Sequence, residues 1–289
     1  MLYEEARVYL DSVSKYGSVL GLDSIKNLLE ELGNPQKELT FIHIAGTNGK
    51  GSILAYLSTI LTEAGYRTGR YISPTVIGYL ERFQIDGAFM EEEELARLTC
   101  HVKAAAERLV EKGKPSPTVF EIETAIAFLY FKESGCDFVV LESGLGGLMD
   151  ATNVIENPKL CVFASVSMDH IGVLGNTLEE IARDKAGIIK KGAEVVTGRQ
   201  AACVKSVLEE TSCVKGCRIT EADLEKLEVV RRALETQAFT YGEFEEMEIR
   251  LVGQHQIENA VTVLEAVRAL RRQGVDISDT CLLYTSPSP

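Results

Sequence analysis

The sequence predicts an α/β protein: a doubly wound parallel sheet carrying a phosphate loop, with a small antiparallel β edge. Three observations carry this. The apolar, β-prone run 40–45 breaks into Gly46-Thr47-Asn48-Gly49-Lys50-Gly51-Ser52, and Ile53, Leu54, Leu57, Ile60 and Leu61 then follow at helical spacing. The runs 137–141 and 160–166, apolar apart from Asp137 and Ser165, have the length and composition of strands buried on both faces. Amphipathic helical runs alternate with these strands, as a parallel sheet requires.

In chain order, residues 1–38 read as helical. One apolar group is Tyr3, Ala6, Val8, Tyr9 and Leu10, and a second is Ile25, Leu28, Leu29 and Leu32. Lys15-Tyr16-Gly17 begins a loop between them, and Gly33-Asn34-Pro35 stops the second helix. In the phosphate loop, glycines let backbone N–H groups turn toward an anion, and the following helix N-terminus adds a favourable dipole. Lys50 can reach a terminal phosphate and Ser52 can ligate Mg²⁺. The register differs from the common G-x-x-x-x-G-K-[ST] pattern, since Lys50 lies four residues after Gly46 and Gly51 separates it from Ser52. The plain alternative is a β–α turn that binds nothing.

Arg70-Tyr71-Ile72 reads as a short strand stopped by Ser73-Pro74, and Asp86-Gly87 as a turn. Glu91 to Glu94 lead a helix through Leu95, Leu98, Val102 and Leu109; acids favour a helix N-terminus and need no chemistry there. Thr118-Val119-Phe120-Glu121 starts an apolar helix. The strand 137–141 ends at Glu142, the strand 160–166 at Asp169-His170, a helix covers 178–189, and 194–197 is a strand. Residues 239–241 and 247–251 flank Gly242 as a hairpin or meander on the sheet edge, and 254–272 form the last helix. Polar groups thus gather past the C-terminal ends of three strands, the edge at which open α/β sheets bind ligands.

The 289 residues allow one large or two modest domains, and 45% hydrophobic content supports a core. The formal charge of −13 argues against nucleic acid as a partner. No run of about 20 apolar residues stands in the sequence, so no membrane-spanning helix is expected. The acidic start Met1-Leu2-Tyr3-Glu4-Glu5 is unlike a signal peptide, which points to a cytoplasmic protein. Seven irregularly spaced cysteines read as reduced thiols, mostly core filler, rather than a zinc site.

Taken together, the motifs are similar to those of the folylpolyglutamate synthase and dihydrofolate synthase branch of the Mur-ligase family, over roughly residues 15–270. They include Gly33-Asn34-Pro35-Gln36, the phosphate loop, Ser73-Pro74 with Glu81-Arg82, and Phe120-Glu121-x-x-Thr124. Gly144-Leu145-Gly146-Gly147 with Asp150-Ala151-Thr152-Asn153-Val154 follows, then Asp169-His170 with Leu174-Gly175-x-Thr177 and 185–190, and Gly253-x-His255-Gln256-x-x-Asn259-Ala260. The resemblance implies the central ATPase domain of such a ligase. It implies ATP-dependent ligation of L-glutamate to a folate or dihydropteroate through an acyl phosphate, by a cytoplasmic monomer with no nucleic-acid or membrane partner.

It also implies roles. Thr47, Asn48, Gly49, Lys50, Gly51 and Ser52 would cradle the triphosphate and Asn259 would contact adenine. Ser52, Ser73 and Glu142 would hold one Mg²⁺, and His170 with a carbamylated Lys185 a second. Arg82, Phe120 and Asp150 would meet the substrate. Lys50, His170 and Lys185 carry the catalytic expectation; His43 and His255 carry none. Alone, these residues have plainer readings: His170 as a structural histidine, Lys185 as a helix-surface lysine, Glu142 as a turn cap and Ser73-Pro74 as a strand stop. Thr75, Leu148-Met149, Ser143 and Asp184 depart from the family pattern, with Asp184 read as support for the metal ligands. The expected extent is an ATP-binding domain over 1–281, with 282–289 a ragged, non-native tail. On this reading the family's second, glutamate-ligase domain is expected to be absent. A Mur-type ligase of a cell-wall precursor and a non-catalytic nucleotide-binding module remain open alternatives.

Overall fold

The computed structural model describes residues 1–13, 21–170, 172–233 and 235–282. Two N-terminal helices, α1 (Tyr3–Val13) and α2 (Asp23–Glu31), precede the first strand, β1 (Phe41–Ala45). Then follow α3 (Lys50–Glu63), β2 (Thr68–Tyr71), β3 (Phe83–Ile85), β4 (Ala88–Phe89), α4 (Glu92–Glu111), α5 (Val119–Glu133) and β5 (Phe138–Glu142). The second half holds β6 (Leu160–Phe163), α6 (Leu178–Ala186), β7 (Glu194–Thr197), α7 (Ala202–Lys215) and β8 (Ile219–Glu221). It ends with β9 (Leu227–Arg232), β10 (Gln237–Tyr241), β11 (Phe244–Ile249) and α8 (Gln254–Arg272). The Lys15-Tyr16-Gly17 loop and residues 283–289 lie outside the described residues.

The main sheet has eight strands in the order β4-β3-β2-β5-β1-β6-β7-β8. The six from β2 to β8 run parallel, and β3 and β4 add an antiparallel edge. The predicted Asp86-Gly87 turn closes β3 on β4, with φ of +51° and +83°, as a tight hairpin needs. Alternate side chains of each central strand enter opposite cores. Ile42, Ile44, Val140 and Val162 pack with α3 and α8 on one face. Val139 and Leu141 meet the helices from the first half of the chain, and Cys161 and Phe163 meet α6 and α7. Fully burying such side chains contributes about 1.5–3 kcal/mol each, which fixes the strands in register and therefore the loops at their ends.

The structure differs from the sequence reading in several places. The meander is present, but it forms a separate three-stranded sheet, β11-β10-β9, instead of extending the edge of the large one. Phe239, Tyr241, Phe244, Met247 and Ile249 bury one of its faces in the core shared by α3 and α8, and that apolar face draws it off the edge. β6 ends at Phe163 because 164–167 leave the ladder for the phosphate loop: the N–H groups of Thr47 and Asn48 both donate to the Ser165 carbonyl, at 2.7 and 3.2 Å. α6 ends at Ala186, and Gly187 packs where a Cβ would lie 2.5 Å from Leu148 Cα. All seven cysteines are free thiols, but only Cys136, Cys161 and Cys281 are buried. Cys203 and Cys217 pack against the core under α6 and α7, so core filling describes five of the seven, and only Cys100 and Cys213 face solvent, on α4 and α7. Among the described residues, no helix is long and apolar enough to cross a membrane.

Candidate active site

The loops after β1, β2, β5, β6 and β7 all open at one edge of the sheet. The chain passes from β5 to β6 across β1, so β1 lies at a topological switch point, where open α/β sheets form a ligand crevice. Two glycines shape the loop after β1. Gly46 has φ +151°, and an added Cβ would lie 2.8 Å from Ala164 Cβ. Gly49 caps α3 with φ +91°, and its Cβ would lie 2.6 Å from the Asn259 Oδ1 of α8. A side chain at either position would push the loop off its supports. The first N–H groups of α3 have no intrahelical acceptor and point to where an anion would sit.

Lys50 starts α3 and folds back over the loop. Its Nζ donates to the Gly46 and Thr47 carbonyls at 3.2 and 3.4 Å and lies 3.8 Å from Glu142 Oε1. Glu142 ends β5 and is 6% exposed. Burial raises its carboxyl to about 7, with Asp150 adding to the rise and Lys50 and the Ser73 N–H opposing it. That N–H donates to Glu142 Oε2 at 3.4 Å, while the buried Ser73 Oγ has no partner. A desolvated carboxylate beside an unpaired hydroxyl suits a hard cation that takes oxygen ligands, so Ser73 and Glu142 fit one Mg²⁺. Ser52, in the first turn of α3, lines the neighbouring cavity.

Lys185 reaches the same loop from the last turn of α6. It is 2% exposed, and its Nζ donates to the Gly46 carbonyl at 3.0 Å. The helix-surface reading of this lysine is therefore wrong. Burial lowers its ammonium to about 8; Lys50 lowers it further, and Asp169, Asp184 and Asp150 hold it up. Asp184 keeps a buried Oδ2 without a partner, and its carboxyl is raised by burial. His170 is the more exposed group. It follows β6 on this edge at φ +45°, with a half-exposed ring whose Nε2 lies 3.6 Å from Asp169 Oδ1. Among the described residues, no three His, Cys, Asp or Glu side chains form a metal cluster.

Two cavities flank this centre. One, of about 510 Å³, is polar and is lined by Asn48, Gly49, Ser52, Arg199, His255 and Asn259. The other, of about 370 Å³, is lined by Ser73, Pro74, Arg82, Phe120, Met149 and Asp150, among others. Phe120 is presented by the first turn of α5, where Thr118 and Glu121 form a capping box. Asp150 is buried: Oδ2 accepts from the Leu145 N–H at 2.8 Å and Oδ1 from the Thr152 N–H at 3.0 Å, so it shapes the 144–152 loop. Glu81 accepts from the N–H groups of Val76 and Ile77 at 2.7 Å and so holds the 73–82 loop that carries Arg82. His43 takes no part in the site; its Nε2 lies 2.9 Å from Thr152 Oγ1 of the 144–152 loop, and burial drives its ring down to about 3.

The structure thus brings Lys50, Ser73, Glu142 and Lys185 around one loop, with Asn259 on one side and Arg82, Phe120 and Asp150 on the other. Sequence reasoning missed Arg199 and Gln200. Arg199 lines the polar cavity, and Gln200 accepts from the Val166 N–H and donates to the Ala164 carbonyl, holding the strap beneath the phosphate loop. Both follow β7 at the ligand edge, and that position was the available signal.

A parallel sheet with a Gly-rich loop at its switch point, a lysine over that loop and an oxygen pair beside it define a nucleotide-binding α/β domain. The chain belongs to the Mur ligase family: residues 44–267 match the Mur ligase middle domain. It is 39% identical over 287 residues to the dihydrofolate synthase/folylpolyglutamate synthase of Bacillus subtilis, covering 97% of this chain and 66% of that relative. It thus spans just under two thirds of that protein. A solved FPGS–AMPPCP complex superposes with a TM-score of 0.93 at 32% identity, covering all of this chain and 72% of the other. An FPGS–AMPPCP–folate complex gives 0.91 at 32% identity, covering 99% and 71%.

Proposed function

We propose that this chain forms the ATP- and folate-binding part of a ligase that joins L-glutamate to a folate or dihydropteroate. The observation that carries the reading is the chain Lys50–Glu142–Ser73, which links the phosphate loop lining a polar cavity to a ring-walled cavity lined by Ser73. The FPGS complexes with AMPPCP and with folate support it.

The substrate carboxylate is a poor electrophile because oxide is a poor leaving group. In the reaction the carboxylate oxygen attacks the γ-phosphorus of ATP, and ADP leaves. The glutamate amine then attacks the acyl carbon, phosphate departs and the amine loses its proton. Lys50 leaves its carbonyl contacts for the γ-phosphate and offsets charge as it develops. The first N–H groups of α3, with Thr47 to Ser52, hold the β- and γ-phosphates, and Asn259 orients the base. Phe120 packs on the pterin ring, with Arg82 and Asp150 at its polar edge. Bound at Ser73, Glu142 and Ser52, Mg²⁺ would supply charge neutralisation between the phosphates. Lys185, with its lowered basicity, has a neutral fraction able to add to CO2 with loss of a proton. The carbamate oxygens, with His170, would then serve a second Mg²⁺.

Isothermal titration of the purified chain tests the reading. Mg²⁺ and AMPPCP bind, folic acid or dihydropteroate binds alongside, and a UDP-sugar peptide does not. Binding of the UDP-sugar peptide in preference to the folates would overturn it in favour of a cell-wall ligase. Nucleotide binding with no folate binding would leave a nucleotide-binding module.

A further inference from the structure

Among the described residues lining the cavity beside Phe120, Arg82 is the one cation, and its guanidinium is clamped. Arg82 Nη1 donates to Glu123 Oε2 at 2.8 Å, and the Tyr79 hydroxyl donates to Glu123 Oε1 at 2.8 Å. Glu123 lies on α5, one turn after Phe120, and is 4% exposed. It does not line the cavity. On the far side, the Arg7 guanidinium of α1 sits over the Tyr79 ring, 3.4 Å from its centroid. A continuous relay, Arg7–Tyr79–Glu123–Arg82, therefore runs from the N-terminal helix to the cavity. Arg82 still holds an unused buried donor, Nε.

An exposed arginine loses rotamer freedom when it grips a ligand, and a pre-clamped one loses less. A carboxylate with both oxygens engaged gives its cation one orientation. We propose that Glu123 is a positioning residue for the ligand of this cavity. Through one carboxylate oxygen it orients Arg82 toward an acceptor on the ligand, a carboxylate or ring carbonyl, while Tyr79 and Arg7 lock the other oxygen. Naming a folate as that ligand rests on the function proposed above; the clamp does not.

The test uses the purified chain and two measurements. The first is the rate of phenylglyoxal modification at Arg82 without ligand, read by peptide mass spectrometry. Glu123→Gln keeps the shape and removes the charge, and it raises that rate about fivefold or more, as loss of a charge-assisted pair exposes the guanidinium. Tyr79→Phe and Arg7→Ala, which disturb packing less, raise it about twofold. The second is calorimetric affinity for folic acid. Glu123→Gln weakens it about tenfold, with AMPPCP affinity unchanged, and adds no further loss to Arg82→Ala, because the two residues act as a unit.

An unchanged Arg82 reactivity in all three variants would overturn the clamp, as would an additive loss in the double variant. Tyr79→Phe and Arg7→Ala keep the test decisive should Glu123→Gln fail to fold. If reactivity responds while the parent chain binds no folic acid, the folate reading fails and the clamp stands for another ligand.

Discussion

The two cavities flank the Lys50–Glu142–Ser73 group, one lined by the phosphate loop and the other by Ser73, and are built by different means. The polar cavity is formed largely by main chain and close helix contacts: Gly49 against Asn259, and the Thr47 and Asn48 N–H groups on Ser165. The cavity beside Phe120 is formed by the first turn of α5 and by side chains on the segments after β2 and β5, among them Arg82, Met149 and Asp150. Main-chain geometry leaves little room for variation, whereas side chains on loops set selectivity. Of the departures from the family pattern, Thr75 in the 73–82 loop and Leu148-Met149 after Gly147 fall on the second side, whereas Ser143 and Asp184 adjoin Glu142 and Lys185.

The sharpest break of this contrast is Lys50→Ala. It removes the cation over the phosphate loop and should lower phosphoryl transfer about 10²–10³-fold, as losing one preorganised charge stabiliser does. ATP binding weakens alongside, while folic acid titrates as before. A parallel loss of folate affinity would show that the cavities are not independent.

Acid should act on the Phe120 side through His43. Its ring titrates near 3 in the folded protein against an ordinary value of 6.5, so the unfolded chain takes up a proton there that the folded state leaves. Stability is therefore full above 6.5 and falls as pH drops through this window, by about 1.4 kcal/mol per unit at most. Thermal melts from pH 7 to 4.5 should show the fall, and His43→Gln should flatten it by about one proton's slope. An identical pH profile in the variant would mean that carboxylates alone set the acid response.

Gly49→Ala combines a left-handed backbone with a Cβ forced onto Asn259, 2.6 Å away. A cost of about 1–2 kcal/mol is expected from the conformation alone, read as a lowered melting temperature. AMPPCP affinity should drop with it and folic acid affinity should not. The smallest effect is Phe120→Ala. Loss of ring contact should weaken folic acid about tenfold with no change in AMPPCP binding. Equal losses for both ligands would erase the contrast.

The sheet and the phosphate loop were legible in the sequence because their signals are local. The residues 138–141 face both cores in alternation, so all four are apolar, and Thr118 to Glu121 spell out a helix start. The site's pairings were not legible. Ser73 meets Glu142 across 69 residues and Lys185 meets Gly46 across 139, and only the strand order brings them together. α7 and β8 went unread because Ala202–Lys215 mixes apolar, hydroxyl and charged residues without a clean stripe and β8 is three residues long. The meander's location was missed because its apolar face names no partner until α8 is in place.

Asn259 pressing on Gly49 also sets an order of assembly. The lining of the Phe120 cavity lies before residue 152, whereas the polar cavity is completed only when α8, some two hundred residues after the phosphate loop, docks on α3. On a ribosome the two halves would therefore mature at different times, the second waiting on a contact of high sequence separation. Nucleotide capture would then act as a proofreading signal for the chain, reporting that α8 has arrived.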